Sequence, residues 1–223
     1  MKLSIVATLY QSAPYIIEFH QRASAAALSL VGKDYEIVLV NDGSPDNSLD
    51  LAVQITERDS HVVVVDLSRN FGHHKAMMTG LAHTKGDHVL LIDSDLEEEP
   101  ECLIAFAEQM QSQRCDVVYG VQEQRKGGWF ERWSGQWFYF VFNVLTGLAV
   151  PANIVTARLM TRRYVDALLL HREREILIAG LWQITGFDQR SQVVKKHSSS
   201  ETTYTLRKQM WWIQSRSATR DND

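Results

Sequence analysis

The chain of 223 residues reads as a doubly wound α/β fold with a mostly parallel sheet, and three observations predict it. Short apolar runs at 3–9, 35–40, 61–67 and 89–92 alternate with longer segments of helical pattern, the rhythm of βαβ units with right-handed crossovers. Val89-Leu90-Leu91-Ile92 is continuously apolar, as a parallel strand covered on both faces is. That run then turns abruptly acidic, and ligands of open α/β sheets bind just beyond the carboxyl ends of the strands.

Taken in order, Leu3 to Leu9 is the first strand and Pro14 to Leu30 an Ala-rich helix. Tyr35 to Val40 is the second strand. It ends at Asn41-Asp42-Gly43-Ser44-Pro45-Asp46-Asn47-Ser48, a strand-to-helix loop with Asp46 or Ser48 placed to cap a helix running to Arg58. His61 to Leu67 is the third strand, followed by a short helix from Gly72 to His83. After the fourth strand a helix runs from about Pro100 to Gln111, with the proline in its first turn, and Asp116 to Tyr119 is the fifth strand. Gln122 to Gly128 reads as a polar loop. Ala157 to Met160 is a short strand, with helices through Leu170 and around Glu175 to Ile184, and Ser191 to Lys196 looks like an edge strand.

Composition sets outer bounds. Hydrophobic content of 45% and charged content of 22% describe an ordinary folded chain of one sizeable domain. A net charge of −4 gives no hint of a nucleic-acid surface. Cys102 and Cys115 form neither a disulfide framework nor a zinc spacing, which points to a reducing cytosol. The first strand starts too early for a signal peptide. The longest apolar tract, Trp137 to Val150, is broken by Asn143, Thr146 and Gly147 and falls short of the roughly 20 residues that a membrane span needs. Trp133, Trp137 and Phe140 share one helical face, which either covers the sheet or meets a lipid or membrane interface. Leu206, Met210 and Ile213 give 201–223 the pattern of an amphipathic helix with a frayed tail.

Three loops should converge at the carboxyl end of the sheet, carrying Thr8 with Tyr10, Asp42, and Asp93 with Asp95. An aspartate after the second strand can accept hydrogen bonds from a base or ribose. Two aspartates one residue apart repel unless a cation or a donor ligand sits between them, and hard oxygen ligands suit Mg²⁺ or Mn²⁺ and hence a diphosphate. A fourth loop, Ser68 to Lys75, opens a helix whose N-terminus favours anions, which places Lys75 among the nucleotide-sugar candidates. Neither Gly-x-Gly-x-x-Gly nor a phosphate-loop lysine motif occurs, which argues against dinucleotide binding and ATP hydrolysis of those types. A phosphatase using Asp93 as nucleophile is disfavoured because Glu97, not threonine, stands two residues after Asp95.

Asn41-Asp-Gly-Ser-Pro-Asp46, Ser68-Arg-Asn-Phe-Gly72 and Asp93-Ser-Asp-Leu-Glu-x-x-Pro-Glu101, in that order, resemble the family-2 glycosyltransferases of GT-A fold. The likeness is strongest to the branch of dolichyl-phosphate mannose synthase and bacterial polyprenyl-phosphate sugar transferases, to which Val118 to Val121, Asn143 to Gly147, Arg158-Leu159-Met160 and Tyr204 to Lys208 also correspond. It covers about Leu3 to Met210. The resemblance implies a GT-A domain over 1–200, its nucleotide-sugar half about 1–120 and its acceptor half about 121–200. The donor would be a nucleoside diphosphate sugar, with Thr8, Tyr10, Asp42, Lys75 and Asp93 binding it. Asp95 and Glu97 would ligate Mg²⁺ or Mn²⁺. Arg125, Arg132 and Ser134 would meet an acceptor phosphate, with Asp95 and Arg132 as the catalytic pair. Transfer to a polyprenyl (undecaprenyl or dolichyl) phosphate would invert the anomeric carbon. It would need little general base because that oxygen is already anionic, and charge stabilisation and alignment would do most of the catalysis.

The chain departs from those relatives at Thr8, usually proline, at Gln11-Ser12, usually Asn-Glu, at Gln122, where an arginine is common, at Thr156-Ala157, where many have aspartate before Phe-Arg, and at Ala179. The expected setting is peripheral, on the cytoplasmic face of the membrane, within cell-envelope polysaccharide synthesis; homo-oligomerisation stays open. The alternatives are transfer to a saccharide hydroxyl in surface polysaccharide synthesis, for which Glu173 and Glu175 are the base candidates, and a non-catalytic nucleotide-sugar binding module.

Overall fold

The computed structural model describes residues 2–122, 153–171 and 178–195. Four βα units come first: β1 (Leu3–Leu9), α1 (Ile16–Val31), β2 (Tyr35–Asn41), α2 (Ser48–Thr56), β3 (Val62–Asp66), α3 (His73–Ala82), β4 (His88–Leu91) and α4 (Cys102–Gln113). Then follow β5 (Val117–Gln122), β6 (Ile154–Thr161), α5 (Arg162–Leu168), α6 (Ile178–Ile184) and β7 (Gln189–Val194). The expected strands and helices within the described residues are present, with ends displaced by a few positions. The amphipathic segment 201–223 and the aromatic face at 133, 137 and 140 lie outside the described residues.

One seven-stranded sheet runs in the order β3-β2-β1-β4-β6-β5-β7. All pairings are parallel except those of β6, which runs antiparallel to both β4 and β5. The strand order reverses beside β1, so a crevice opens at the carboxyl ends of β1 and β4, where such sheets take their ligands. The two faces are both covered, which is why β1 and β2 are buried at every position. Alternate residues Leu3, Ile5, Ala7 and Leu9 pack with Phe19 and Ala23 of α1, Ile55 of α2 and Phe106 of α4. Val6, Val38, Val40, Val89 and Leu91 face the other way, against Met77 and Leu81 of α3, Val165 of α5 and Trp182 of α6. Gly80 lets α3 lie flush on that face, since a Cβ there would stand 2.4 Å from Val6 Cγ1.

Parity along the strands decides what reaches the crevice. Val6 and Val40 lie on the α3 face, so Thr8 and Asp42, two residues further, point the same way, as does Asp93 beyond Leu91. The Ile92 N–H still donates to the Val6 carbonyl (3.1 Å), which holds the start of the acidic loop in sheet register.

The reversal of β6 has a topological result: the stretch 123–152 departs from the carboxyl end of β5 and returns at the start of β6, on the crevice side. Its ends are clasped. Gln122 N–H donates to the Asn153 carbonyl (3.0 Å), and Asn153 Nδ2 donates to the Gln122 carbonyl (2.6 Å). Glu98, 2% exposed, anchors the first residues of β6 by accepting the N–H groups of Thr156 (3.1 Å) and Ala157 (2.7 Å). Among the described residues no helix is long and apolar enough to cross a membrane.

Candidate active site at the carboxyl ends of β1, β2 and β4

The loops after β1 and β2 are stitched together by serines around one carboxylate. Gln11 N–H donates to Ser44 Oγ (2.8 Å), Ser12 N–H to Ser48 Oγ (2.9 Å) and Ala13 N–H to Asp46 Oδ2 (3.1 Å). Both serine hydroxyls donate in turn to Asp46 Oδ1, at 2.5 and 2.6 Å. Burial pushes the Asp46 carboxyl up, but these hydroxyls and the Ala13 and Ser48 N–H groups outweigh it and hold it down at about 2. Asp46 thus braces the loops, while the residue before α2, Asn47, makes no side-chain cap. Ser94 completes the seam from β4: its hydroxyl donates to the Thr8 carbonyl (2.8 Å) and lies 3.0 Å from Ser12 Oγ.

Asp42 is 2% exposed, and its two oxygens accept the N–H groups of Phe71 (2.7 Å) and Gly72 (3.0 Å). Its carboxylate therefore shapes the loop that leads into α3. Gly43, at φ +59°, lets this loop come close, because a Cβ there would stand 2.4 Å from the Asn70 nitrogen. The same approach brings His73, the first residue of α3, over the crevice. Its Nδ1 lies 3.0 Å from Thr8 Oγ1 and its Nε2 3.3 Å from Asp93 Oδ1, so one imidazole spans β1 and β4. Burial pulls this imidazole down, but the hydrogen bond and charge of Asp93, with Asp42 and Asp95 behind it, more than offset that and raise its pKa.

Asp95 accepts the Glu97 N–H on Oδ1 (2.9 Å), and Leu96 between them takes a left-handed φ of 60°, so the two acidic residues share a tight turn. Among the described residues no three His, Cys, Asp or Glu side chains gather closely enough to cage a metal. A Mg²⁺ or Mn²⁺ ion that keeps waters and binds through one or two carboxylates plus substrate phosphates needs no such cage, and Asp93 and Asp95 meet that requirement.

Of the residues singled out in the sequence, Thr8, Asp42 and Asp93 therefore stand on one face at one end of the sheet, with Asp95 and Glu97 in the turn just beyond. Tyr10 lies 50% exposed at the rim, where its N–H donates to Ser12 Oγ (3.1 Å), and Lys75 sits in the first turn of α3. Arg125, Arg132 and Ser134 lie outside the described residues, as do the base candidates Glu173 and Glu175. Sequence reasoning passed over His73, Asp46 as a brace, and Glu98. The paired histidines in an otherwise anion-favouring loop were the available signal for the first.

Comparison with known proteins bears on the family and the fold. Residues 4–169 match the model of the glycosyl transferase family 2. A protein of Mycobacterium tuberculosis (strain CDC 1551 / Oshkosh) named "Putative glycosyltransferases" is 50% identical over 210 residues, covering 94% of this chain and 61% of that protein. The uncharacterized glycosyltransferase YkcC of Bacillus subtilis (strain 168) is 30% identical over 213 residues, covering 94% of this chain and 65% of its own. The chain thus spans less than two thirds of the length of these relatives. Among solved structures, the mannosyltransferase PcManGT of Pyrobaculum calidifontis, in complex with GDP-Man and Mn²⁺, superposes with a TM-score of 0.65 at 16% identity, covering 100% of this chain and 65% of that one. That likeness establishes the GT-A fold.

Proposed function

We infer the following reaction from the premise that the chain belongs to the glycosyl transferase family 2: it transfers a hexose from a nucleoside diphosphate sugar to a polyprenyl phosphate, with inversion at the anomeric carbon. The observation that carries it is the spanning of the β1 and β4 ends by His73, from Thr8 to Asp93, directly above a bed of buried serines. This is a rigid acidic crevice at a topological switch point, the place and the charge that a metal-linked diphosphate requires.

Asp95, with Glu97 beside it and Asp93 facing the ribose, would hold Mg²⁺ or Mn²⁺, which when bound lends positive charge to the departing diphosphate. Tyr10 at the rim and the Asp42-braced loop at 69–72 would enclose the nucleoside. The stretch carrying Arg125, Arg132 and Ser134 leaves and re-enters the sheet beside this crevice, which supports placing the acceptor phosphate on that side. An anionic phosphate oxygen needs no proton removed before it attacks, so the chain's task is alignment and charge stabilisation.

The test is incubation of the full chain with labelled UDP- and GDP-sugars, Mn²⁺ and a short polyprenyl phosphate. The expected product is a sugar-phosphate lipid that partitions into the organic phase and is lost in Asp95→Ala. Transfer to an added oligosaccharide with none to the lipid would replace this acceptor with a saccharide hydroxyl. Donor binding without any transfer would leave a binding module.

A further inference from the structure

On the same face of the sheet, one step below the crevice, stands a group that the proposed chemistry has not used. Arg158 lies in the middle of β6, opposite Leu91 of β4 and Tyr119 of β5, and is wholly buried. Its guanidinium lies 3.0 Å from the centroid of the Trp182 ring. Among the described residues, Nε, Nη1 and Nη2 have no hydrogen-bond partner, and neither does Nε1 of the same Trp182. Four N–H-bearing atoms in contact with one another therefore lack an acceptor. The neighbouring polar groups attract the guanidinium without satisfying its N–H groups: Tyr164 Oη lies beside it but donates to the Trp182 carbonyl (3.0 Å), and the Glu98 carboxylate, which draws it through space, holds the β6 backbone.

A buried charge whose N–H groups have no hydrogen-bond partner is among the costliest arrangements in a folded chain, and the stack on an aromatic ring with the through-space attraction of Glu98 offsets only part of that cost. Such local violations are expected where a ligand supplies what is missing. The shortage is of acceptors alone, which a phosphate, anionic and rich in acceptor oxygens, would meet; a planar guanidinium matches it bidentately. Position agrees. Asp93 lies two residues beyond Leu91 on the α3 face, which puts its Cα roughly 8 Å from that of Arg158, within the reach of the arginine arm.

We propose that Arg158 is an anion-receiving residue of the crevice, exchanging its stack on Trp182 for a phosphate group held beside Asp93 on the β6 side. The phosphate comes either from the diphosphate of the donor or from a phosphorylated acceptor. The proposal rests on reading the crevice as a sugar-transfer site.

Thermal unfolding of the full chain and of Arg158→Met, with and without inorganic phosphate, tests it. Without ligand, Arg158→Met should melt at or above the wild-type temperature, because it removes a buried charge that the described fold compensates only in part. With phosphate in the tens of millimolar, the wild-type midpoint should rise by several degrees and that of Arg158→Met should stay fixed. Arg158→Lys, which keeps the charge and loses the fork, should show a reduced rise. Saturating UDP and Mn²⁺ separate the two sources. A phosphate response that persists with them marks the acceptor side. One that UDP abolishes, together with an at least tenfold weaker UDP affinity and unchanged uridine affinity in Arg158→Met, marks the donor. Equal phosphate responses in wild type and Arg158→Met, no response in either, or unfolding of Arg158→Met would each overturn the assignment. The phosphate titration needs no nucleotide, so a wild type that ignores UDP and GDP alike would sink the sugar-transfer reading and leave this result standing.

Discussion

Replacing Gly43 with alanine tests whether the loop after β2 and the loop before α3 touch as closely as described. A Cβ at this position would stand 2.4 Å from the Asn70 nitrogen, 2.5 Å from the Arg69 carbonyl carbon and 3.0 Å from Arg69 Cα. All three are backbone atoms, so no side chain can rotate aside. Restoring ordinary contact requires a displacement of about 1 Å. That displacement falls on the strand of chain whose Phe71 and Gly72 N–H groups bond Asp42 at 2.7 and 3.0 Å. The left-handed φ of +59° adds about 1 kcal/mol, overpacking about 1–3, and a weakened charged hydrogen bond about 1.5. Together they amount to about 3.5–5.5 kcal/mol, which in a chain of this size lowers the melting midpoint by about 7–22 °C. Gly186→Ala is the matched control: its φ is also positive, at +77°, but nothing lies within 4 Å, so it should cost only about 1 kcal/mol. Circular dichroism melts of both variants, with UDP calorimetry, read the outcome. If the two lose the same few degrees and bind UDP alike, the close approach at Gly43 is not a constraint and the reasoning fails.

His73→Ala removes the bridge between Thr8 and Asp93 and should lower kcat/KM for transfer about 10- to 100-fold, the worth of one or two hydrogen bonds to a charged group, with a melting midpoint within about 2 °C of wild type. An unchanged rate would show that Asp93 orients itself. Asp46→Asn should destabilise by about 1–2 kcal/mol at neutral pH, measured by urea unfolding. A carboxyl held down at about 2 lends stability that is complete above the usual carboxylate range and fades as pH falls through about 4 towards 2, so wild type and variant should converge there. Burial pushes the Cys102 thiol up to about 12 and raises that of Cys115, so both should resist aromatic disulfide reagents at pH 8 until the chain is unfolded. Rapid native labelling of either would contradict their packing.

The parts of the fold visible in the sequence were those with a local signature. Leu3 to Leu9 and Tyr35 to Asn41 are apolar throughout because both faces are covered, and that pattern needs no partner to be recognised. The direction of β6 has no such mark. Ile154–Thr161 is apolar enough for a central strand, but its antiparallel course is set by where the chain re-enters the sheet. At the site, residue type showed which side chains belong to the crevice, while their tasks depended on partners far along the chain. Asp42 suits a base or ribose, yet its oxygens accept hydrogen bonds from Phe71 and Gly72, 29 and 30 positions away. His73 is unremarked in a helical sequence until the register of β1 and β4 puts Thr8 and Asp93 at its two nitrogens. Glu98 is an unspecified position of the Asp93–Glu101 motif in the sequence, and only the neighbouring strand explains its burial.

The paired bonds between Gln122 and Asn153 have an evolutionary consequence. With both doorposts fixed to the sheet, whatever runs between them can change length or be exchanged wholesale, since closing a longer loop between fixed points adds only a logarithmic entropy cost. If the acceptor is held there as proposed, one donor-holding half could in this way be paired with many interchangeable acceptor cassettes, and a graft cut at these two residues would move specificity from one member of the family to another.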